Sequence, residues 1–220
     1  METTLGEQIM LLSLDDNTGA PHLQAQSEYM ISSASVLELA LADRVRMEGE
    51  HLVVTDPTPL GIAILDETLR RIAGQEKRED TQAWIFRLKK EAVEGARQGL
   101  LDKGVIREER TRRWGIFPTN RYPEADGTVE QDVRRKLAAA VLEGQEPDPR
   151  TAALVVLLHS GGLHKLVFAD SDGTAVKKRM AELTENHWSE PVMKQLVDSV
   201  FVALSGYSAT AAVGVVGTGI

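Results

Sequence analysis

The chain has no cysteine among its 220 residues. That excludes disulfides, thiolate zinc sites and cysteine nucleophiles, and it suits a reducing compartment. No basic segment followed by an apolar run opens the sequence, so no secretory signal is expected. No long apolar run is present either. Ser199 to Ile220 carries no charge, but four glycines interrupt it, and a membrane-spanning helix needs about 20 predominantly apolar residues. Pro191 to Leu204 therefore reads as a core helix with a small-residue tail after it. No Ser nucleophile elbow appears. Gly214, Gly217 and Gly219 cannot cradle a phosphate, because no helix follows them. A strong positive charge is missing too, since the net charge is −8. An acidic chain is a poor general binder of nucleic acid.

What is present is an ordinary globular composition, 42% apolar and 26% charged. The length suits one domain over residues 1–220. Charge is uneven: residues 1–80 hold six Lys/Arg against fifteen Asp/Glu, and the remainder is about neutral. That second part contains three basic clusters: Arg110, Arg112 and Arg113; Arg134, Arg135 and Lys136; Lys177, Lys178 and Arg179.

The segment Ser32 to Asp56 organises the reading. Ser35 and Glu38 have the spacing of a capping box, with Ser33 as the other candidate cap. Val36, Leu37, Ala40 and Leu41 form a helical stripe. Val45 to Glu48, a Gly49-Glu50 turn and His51 to Thr55 then predict a β-hairpin, stopped by Pro57 and Pro59. A similar unit follows about sixty residues later. Ala96 to Lys103 is helical, a second hairpin opens at Gly104, and its return strand is Trp114 to Phe117, closed by Pro118. Leu41 to Val45 overlays Leu101 to Val105, which suggests a winged-helix-like duplication.

Thr4 and Glu7 form another capping box for a helix with Leu5, Ile9 and Leu12 on one face. Further helices are expected over Leu60 to Ala73, Thr81 to Lys103, Val129 to Glu143, Thr151 to His159 and Ala175 to Leu183. Leu163 to Phe168 is apolar and β-inclined, as an exposed loop or a buried strand. The expected class is mainly α: a central apolar helix bundle, amphipathic outer helices and two or three peripheral β-hairpins.

Chemistry-bearing motifs are sparse. Asp170 to Gly173 starts like a calcium loop but lacks the closing Glu, so it reads as a turn. His159 and His164 flank Ser160-Gly161-Gly162 with no third ligand at metal spacing, and read as a helix end. Asp66-Glu67 and Glu108-Glu109 are sequence neighbours that point apart, and read as solvated faces. Arg110 to Trp114 lies at a hairpin tip, where it meets phosphate or simply pairs with nearby carboxylates.

Several segments resemble the Golgi phosphoprotein 3 family, cytosolic phosphoinositide-binding proteins with relatives in bacteria, and the chain looks like a bacterial-type member. They are Leu11 to Asp16 with Gly19, Leu37 to Val45, Ile64 to Leu69, Ala83-Trp84-Ile85, Leu100 to Ile106 and Ala140-Val141-Leu142. The resemblance implies a mostly helical membrane adaptor without catalytic residues. In it a basic pocket takes the phosphate of phosphatidylinositol 4-phosphate, beside an apolar loop that enters the bilayer. Counting back from Leu37-Glu38-Leu39-Ala40-Leu41, the family's arginine position falls on Ser32 and its tryptophan near Leu23. Two further basic positions fall on Asp132 and Arg135, with Arg134 adjoining.

The resulting expectation is a non-enzymatic cytoplasmic domain, peripheral on the inner membrane face. Arg134 and Arg135 bind the head group, and Leu166, Val167 and Phe168 insert. No metal or cofactor is expected. The expected partners are an anionic phospholipid head group or membrane surface, protein partners and a second copy of the chain, with nucleic acid disfavoured. The alternative is a winged-helix-like regulator that binds DNA or protein through its hairpins, motivated by the duplication and by Arg110 to Trp114.

Overall fold

The computed structural model describes residues 2–15, 25–75, 78–113, 117–125, 127–188 and 191–213. Among these lie eight α-helices: α1 (Leu5–Leu12), α2 (Ala25–Leu41), α3 (Ala63–Ala73), α4 (Thr81–Asp102), α5 (Thr128–Val141), α6 (Pro149–Ser160), α7 (Gly173–Asn186) and α8 (Pro191–Val213). Two antiparallel hairpins interrupt them, β1 (Val45–Glu48) with β2 (His51–Val54) and β3 (Glu109–Arg113) with β4 (Phe117–Arg121). The class is mainly α, as expected.

Two helices form the centre. In α2 every residue from Met30 to Ala40 is buried, and in α6 every residue from Thr151 to Leu158. A helix that is apolar all round must be enclosed by others. Helices α1, α3, α4, α6 and α8 pack on α2. The outer helices each bury one stripe: Trp84, Leu88, Ala92 and Ala96 in α4, Val133 and Leu137 in α5, Val176, Met180 and Leu183 in α7.

The start of α2 differs from the expectation. It lies at Ala25, ten residues before Ser35, and Ser32, Ser33 and Ser35 sit inside the helix. Serine weakly disfavours a helix interior, but packing on every side overrides that preference. The Ser32 hydroxyl donates to the Ile85 carbonyl of α4 at 2.7 Å, and the Ser35 hydroxyl to the Ile31 carbonyl at 3.5 Å. Glu38 caps nothing in α2. It reaches outward, where Oε2 accepts the Leu5 amide at 2.7 Å and Oε1 pairs with Arg150 of α6. Arg150 also donates to the Thr3 carbonyl at 2.7 Å. The second expected box is present: Glu7 accepts the Thr4 amide at 2.8 Å, and Thr4 Oγ1 accepts the Glu7 amide at 3.2 Å. Glu7 in addition pairs with Lys103 at the end of α4.

The first hairpin matches its expectation, with Met47 opposite Leu52 and Gly49 at φ 63° in the turn. The second is displaced. Its strands start at Glu109 and Phe117, and Pro118 lies within β4 opposite Arg112 rather than closing it. A two-stranded ribbon is all edge, so a proline without an N–H is tolerated. Trp114 to Ile116 lie outside the described residues.

Both units place a hairpin after a helix, and they share a helix ending. Asp43 (φ 57°) and Gly104 (φ 66°) both take the left-handed conformation after their helices. Arg44 N–H returns to the Leu39 carbonyl at 2.8 Å and Val105 N–H to the Leu100 carbonyl at 3.0 Å. Asp43 therefore corresponds to Gly104, one residue off the sequence overlay. The same ending recurs after α6, where Leu163 N–H meets the Leu158 carbonyl at 3.0 Å and no hairpin follows. It is a common way to stop a helix. Leu163 to Phe168 is not a strand. After Gly162 (φ 68°) it forms a 3-10 turn, His164–Leu166.

Burial raises the Glu38 carboxyl above its ordinary range, against the opposing pull of the Leu5 amide and Arg150. Removing the carboxylate strands the Leu5 amide and takes from Arg150 its buried partner, leaving it Glu2 and the Thr3 carbonyl. Glu38→Ala is expected to cost about 2–4 kcal/mol in urea unfolding. Glu38→Gln, which keeps an acceptor for Leu5 and sheds the buried charge, should cost less than half as much. An unchanged urea midpoint for Glu38→Ala would show that this contact does not fasten α1.

Candidate functional site

Three places on the surface can be built from the residues that the sequence singled out and from their neighbours. The first is the corner of α5. Arg134 and Arg135 are adjacent, so they leave the helix about 100° apart. Arg134 Nε donates to Glu130 at 2.6 Å, and its Nη1 donates to the Leu166 carbonyl at 2.9 Å. It lies in a cleft of about 500 Å³ with Asp15, Glu124 and Glu130, an acidic setting for a phosphate. Arg135 is 75% exposed and pairs with Asp132. Lys136 reaches the other oxygen of Asp132 at 3.0 Å. Lys136 first, and then Arg135, hold that carboxyl below its ordinary range. The structure thus brings Arg134 to the Leu166 turn but does not converge Arg134 and Arg135 on one point.

That turn is the second place. Phe168 is 4% exposed and belongs to the core, while Leu166 and Val167 are half-buried. In this conformation only the latter two face outward in part, so insertion of Phe168 requires the turn to open. His164 is buried at its start, and the half-buried His159 lies 5.9 Å, ring to ring, from Phe201 of α8.

The third place follows from Ser32, the position to which the resemblance gives an arginine. Ser32 is fully buried against Ile85 of α4, whereas α5 packs on α1, α6 and α7. One turn away, Phe86 projects with 64% exposure, its ring centroid 6.4 Å from that of Tyr29. Lys89 Nζ sits 4.2 Å from the Tyr29 centroid and 5.1 Å from that of Phe86. Lys90 is exposed beside it. Among the described residues, no carboxylate lies within ion-pair distance of Lys89 or Lys90. The ammonium of Lys89 is seated on aromatic faces, which leave its N–H donors available. Sequence reasoning missed this cluster. Its legible signal was Phe86, an aromatic off the Trp84-Leu88-Ala92 stripe of α4. Leu23, the tryptophan position, lies outside the described residues.

Of the remaining candidates, the side chains of Arg112, Arg113 and Trp114 lie outside the described residues. Asp172 caps α7 through the Thr174 amide at 2.9 Å. Of the basic hairpin, Arg110 is exposed at the strand pairing Arg110 with Asn120. A cleft of about 400 Å³ between α5 and α6 holds Lys136 and Arg150, both engaged by carboxylates. Among the described residues, no group of three His, Asp or Glu could hold a metal, and no helix is long and apolar enough to cross a membrane.

Comparison with known proteins adds two findings. The family model described as Golgi phosphoprotein 3 (GPP34) matches residues 5–200. Vacuolar protein sorting-associated protein 74 of Schizosaccharomyces pombe is 23% identical over 163 residues, covering 63% of this chain and 48% of that protein. The chain spans about half the length of this curated relative.

The two α5 arginines should separate in a stability measurement. Arg134→Ala frees the Leu166 carbonyl and Glu130, and is expected to cost about 1–2 kcal/mol in urea unfolding. Arg135→Ala removes an exposed pair and should stay within about 0.5 kcal/mol. Equal losses would contradict the tether from Arg134 to the turn.

Proposed function

The chain belongs to the Golgi phosphoprotein 3 family, and from that membership we propose that it is a non-enzymatic adaptor domain that docks peripherally on anionic membrane. The observation that carries this reading is the cluster on α2 and α4: Lys89 seated on the rings of Tyr29 and Phe86, with Phe86 exposed and Lys90 alongside. An aromatic ring at the interface and ammonium donors beside it are the two parts of a peripheral lipid contact. Burying Phe86 in the acyl boundary contributes roughly 1.5–3 kcal/mol, and each lysine near an anionic surface about 1 kcal/mol. Together these give reversible binding that further contacts must reinforce.

A head-group phosphate, with phosphatidylinositol 4-phosphate as the family's lipid, would be held by Lys89 and Lys90 rather than by a converged pair at Arg134 and Arg135. Arg135 is free to act as a peripheral charge, and Arg134 acts through the turn it tethers. Leu166 and Val167 are the apolar contacts of that second corner. In this reading the domain works from the cytoplasmic side, on the inner membrane face, and joins the membrane to protein partners. The name of the fission-yeast relative, which refers to vacuolar protein sorting, supports a trafficking-type task.

Co-sedimentation with vesicles tests this. Neutral, generic anionic and phosphatidylinositol 4-phosphate-containing vesicles are compared at low and near-physiological salt. The intact chain should prefer anionic vesicles, and Phe86→Ser with Lys89→Ala should lower the bound fraction several-fold. A preference for the phosphoinositide that survives salt marks a pocket, because a diffuse patch is screened. Loss confined to Arg134→Ala with Arg135→Ala would move the site to α5. No binding to any vesicle would sink the reading.

A further inference from the structure

The corner formed by α6, the 3-10 turn and α7 contains a feature that docking through Phe86 and Lys89 does not use. His164 is 7% exposed, and among the described residues its Nε2 has no hydrogen-bond partner. A buried polar atom without a partner is costly and calls for a reason. His164 also anchors the turn: its carbonyl accepts the Val167 amide at 3.3 Å and the Phe168 amide at 2.9 Å. The ring therefore belongs to a residue whose backbone holds the turn closed.

The surroundings of the ring are cationic. Lys165 belongs to the turn itself. Helix α7 presents Lys177, whose charge acts on both His164 and His159, and Glu185, which opposes it at His159 alone. Helix α8 contributes the Phe201 ring, and α2 the Met30 thioether at Gly161, neither of them titratable. Helix α5 contributes Arg134, already engaged by Glu130 and the Leu166 carbonyl. Lys165 and Lys177, the two cations that act on His164, are exposed, and Leu166 and Val167 are half-buried.

We propose that this corner is a second membrane contact that opens on acidification: with His164 and His159 charged, the turn from Leu163 to Phe168 leaves the core and enters an anionic bilayer flanked by Lys165 and Lys177. The inference rests on the peripheral-membrane reading and adds its regulation. Two like charges beside Lys177, with one carboxylate opposite, cannot both remain in a closed corner. An anionic bilayer supplies the missing counter-charge and an apolar phase for Phe168.

The proton linkage has the required sign. Burial first, and then the neighbouring cations, push both imidazoles below their ordinary range in the closed form. Released to water, they return to an ordinary value of about 6.5. The open form then binds protons more tightly, so acid favours opening. The effect starts as pH falls below about 6.5 and is complete below the closed-form value. Each tenfold difference in proton affinity multiplies the open-to-closed ratio by about ten.

The test compares the intact chain with His159→Phe/His164→Phe, which keeps ring volume and removes both titrations. Binding to vesicles of phosphatidylcholine, alone or with phosphatidylglycerol, is measured near about pH 7.5 and about pH 5. The intact chain should gain at least severalfold in binding to the anionic vesicles on acidification, and the double variant should gain much less. An equal gain in both would assign the effect to protonated carboxylates and overturn the gate. Binding near neutral pH without any acid gain would overturn the gate and leave the Phe86–Lys89 reading intact. No binding at either pH would overturn both. Should the variant fold poorly, hydrogen exchange of the intact chain decides instead. The Val167 and Phe168 amides should lose protection in acid, after correction for intrinsic exchange, while those of α2 keep it. Protection of both at low pH would overturn the gate.

Discussion

Two buried glutamates fasten the N-terminal helix to the rest of the bundle, and much of the structure depends on their satisfaction. Glu38 lies on α2 at 7% side-chain exposure, and Glu7 on α1 at 3%. Glu38 takes the Leu5 amide and Arg150, joining α1, α2 and α6. Glu7 takes the Thr4 amide and Lys103, joining α1 to the end of α4. Each carboxylate therefore satisfies an otherwise orphaned N–H near the start of α1 and neutralises a distant cation. Glu7 also dictates its neighbour. A Cβ at Gly99 would press on the Glu7 carboxylate, so glycine there leaves that carboxylate room where α1 meets α4. A buried ion pair is a poor source of net stability. Its use here is in fixing which helix goes where.

This view explains which features the sequence disclosed. The Thr4–Glu7 box is local and was legible, as was the Val45–Val54 hairpin with Gly49 at its turn. Helices α3, α4, α5 and α7 announced themselves by single apolar stripes, and α6 by a near-continuous apolar run. Helix α2 hid its start because its serines look like caps to a local reading, while their partners lie elsewhere: Ser32 on Ile85, fifty-three residues away. Glu38 misled for the same reason, having the spacing of a cap and a partner in another helix. The Leu163 to Phe168 segment has strand composition but no second strand to pair with. The helix ending at Gly162 turns it back on α6 instead.

The candidate site was less legible than the fold. Glu38 and Lys103 lie inside segments that carry the family resemblance, and the structure uses both as packing devices. Trp84 is likewise core, at 2% exposure. Exposed residues brought together from two helices have no such periodic signature. Lys89 and Phe86 look like solvated positions until Tyr29 of α2 is placed beside them. The resemblance gave Asp132 and Arg135 as its basic positions on α5, and Arg134 entered as the neighbour of Arg135. Its position shows a different use, bridging α5 to the turn that carries the apolar loop.

The same physics separates the rigid parts from the movable one. Glu38, Glu7 and His164 are all ionisable groups removed from water. The glutamates are compensated by amides and cations from three other segments, so displacing either breaks several contacts at once. His164 has no such compensation at Nε2 and is surrounded by positive charge. Its burial is tolerable only while it stays neutral. Arg134, whose guanidinium donates to the Leu166 carbonyl, then tethers the turn to α5. Arg134 and His164 thus act on the same few residues, Leu166 to Phe168, which hang on one guanidinium contact and two main-chain bonds, whereas each buried glutamate is held from several sides.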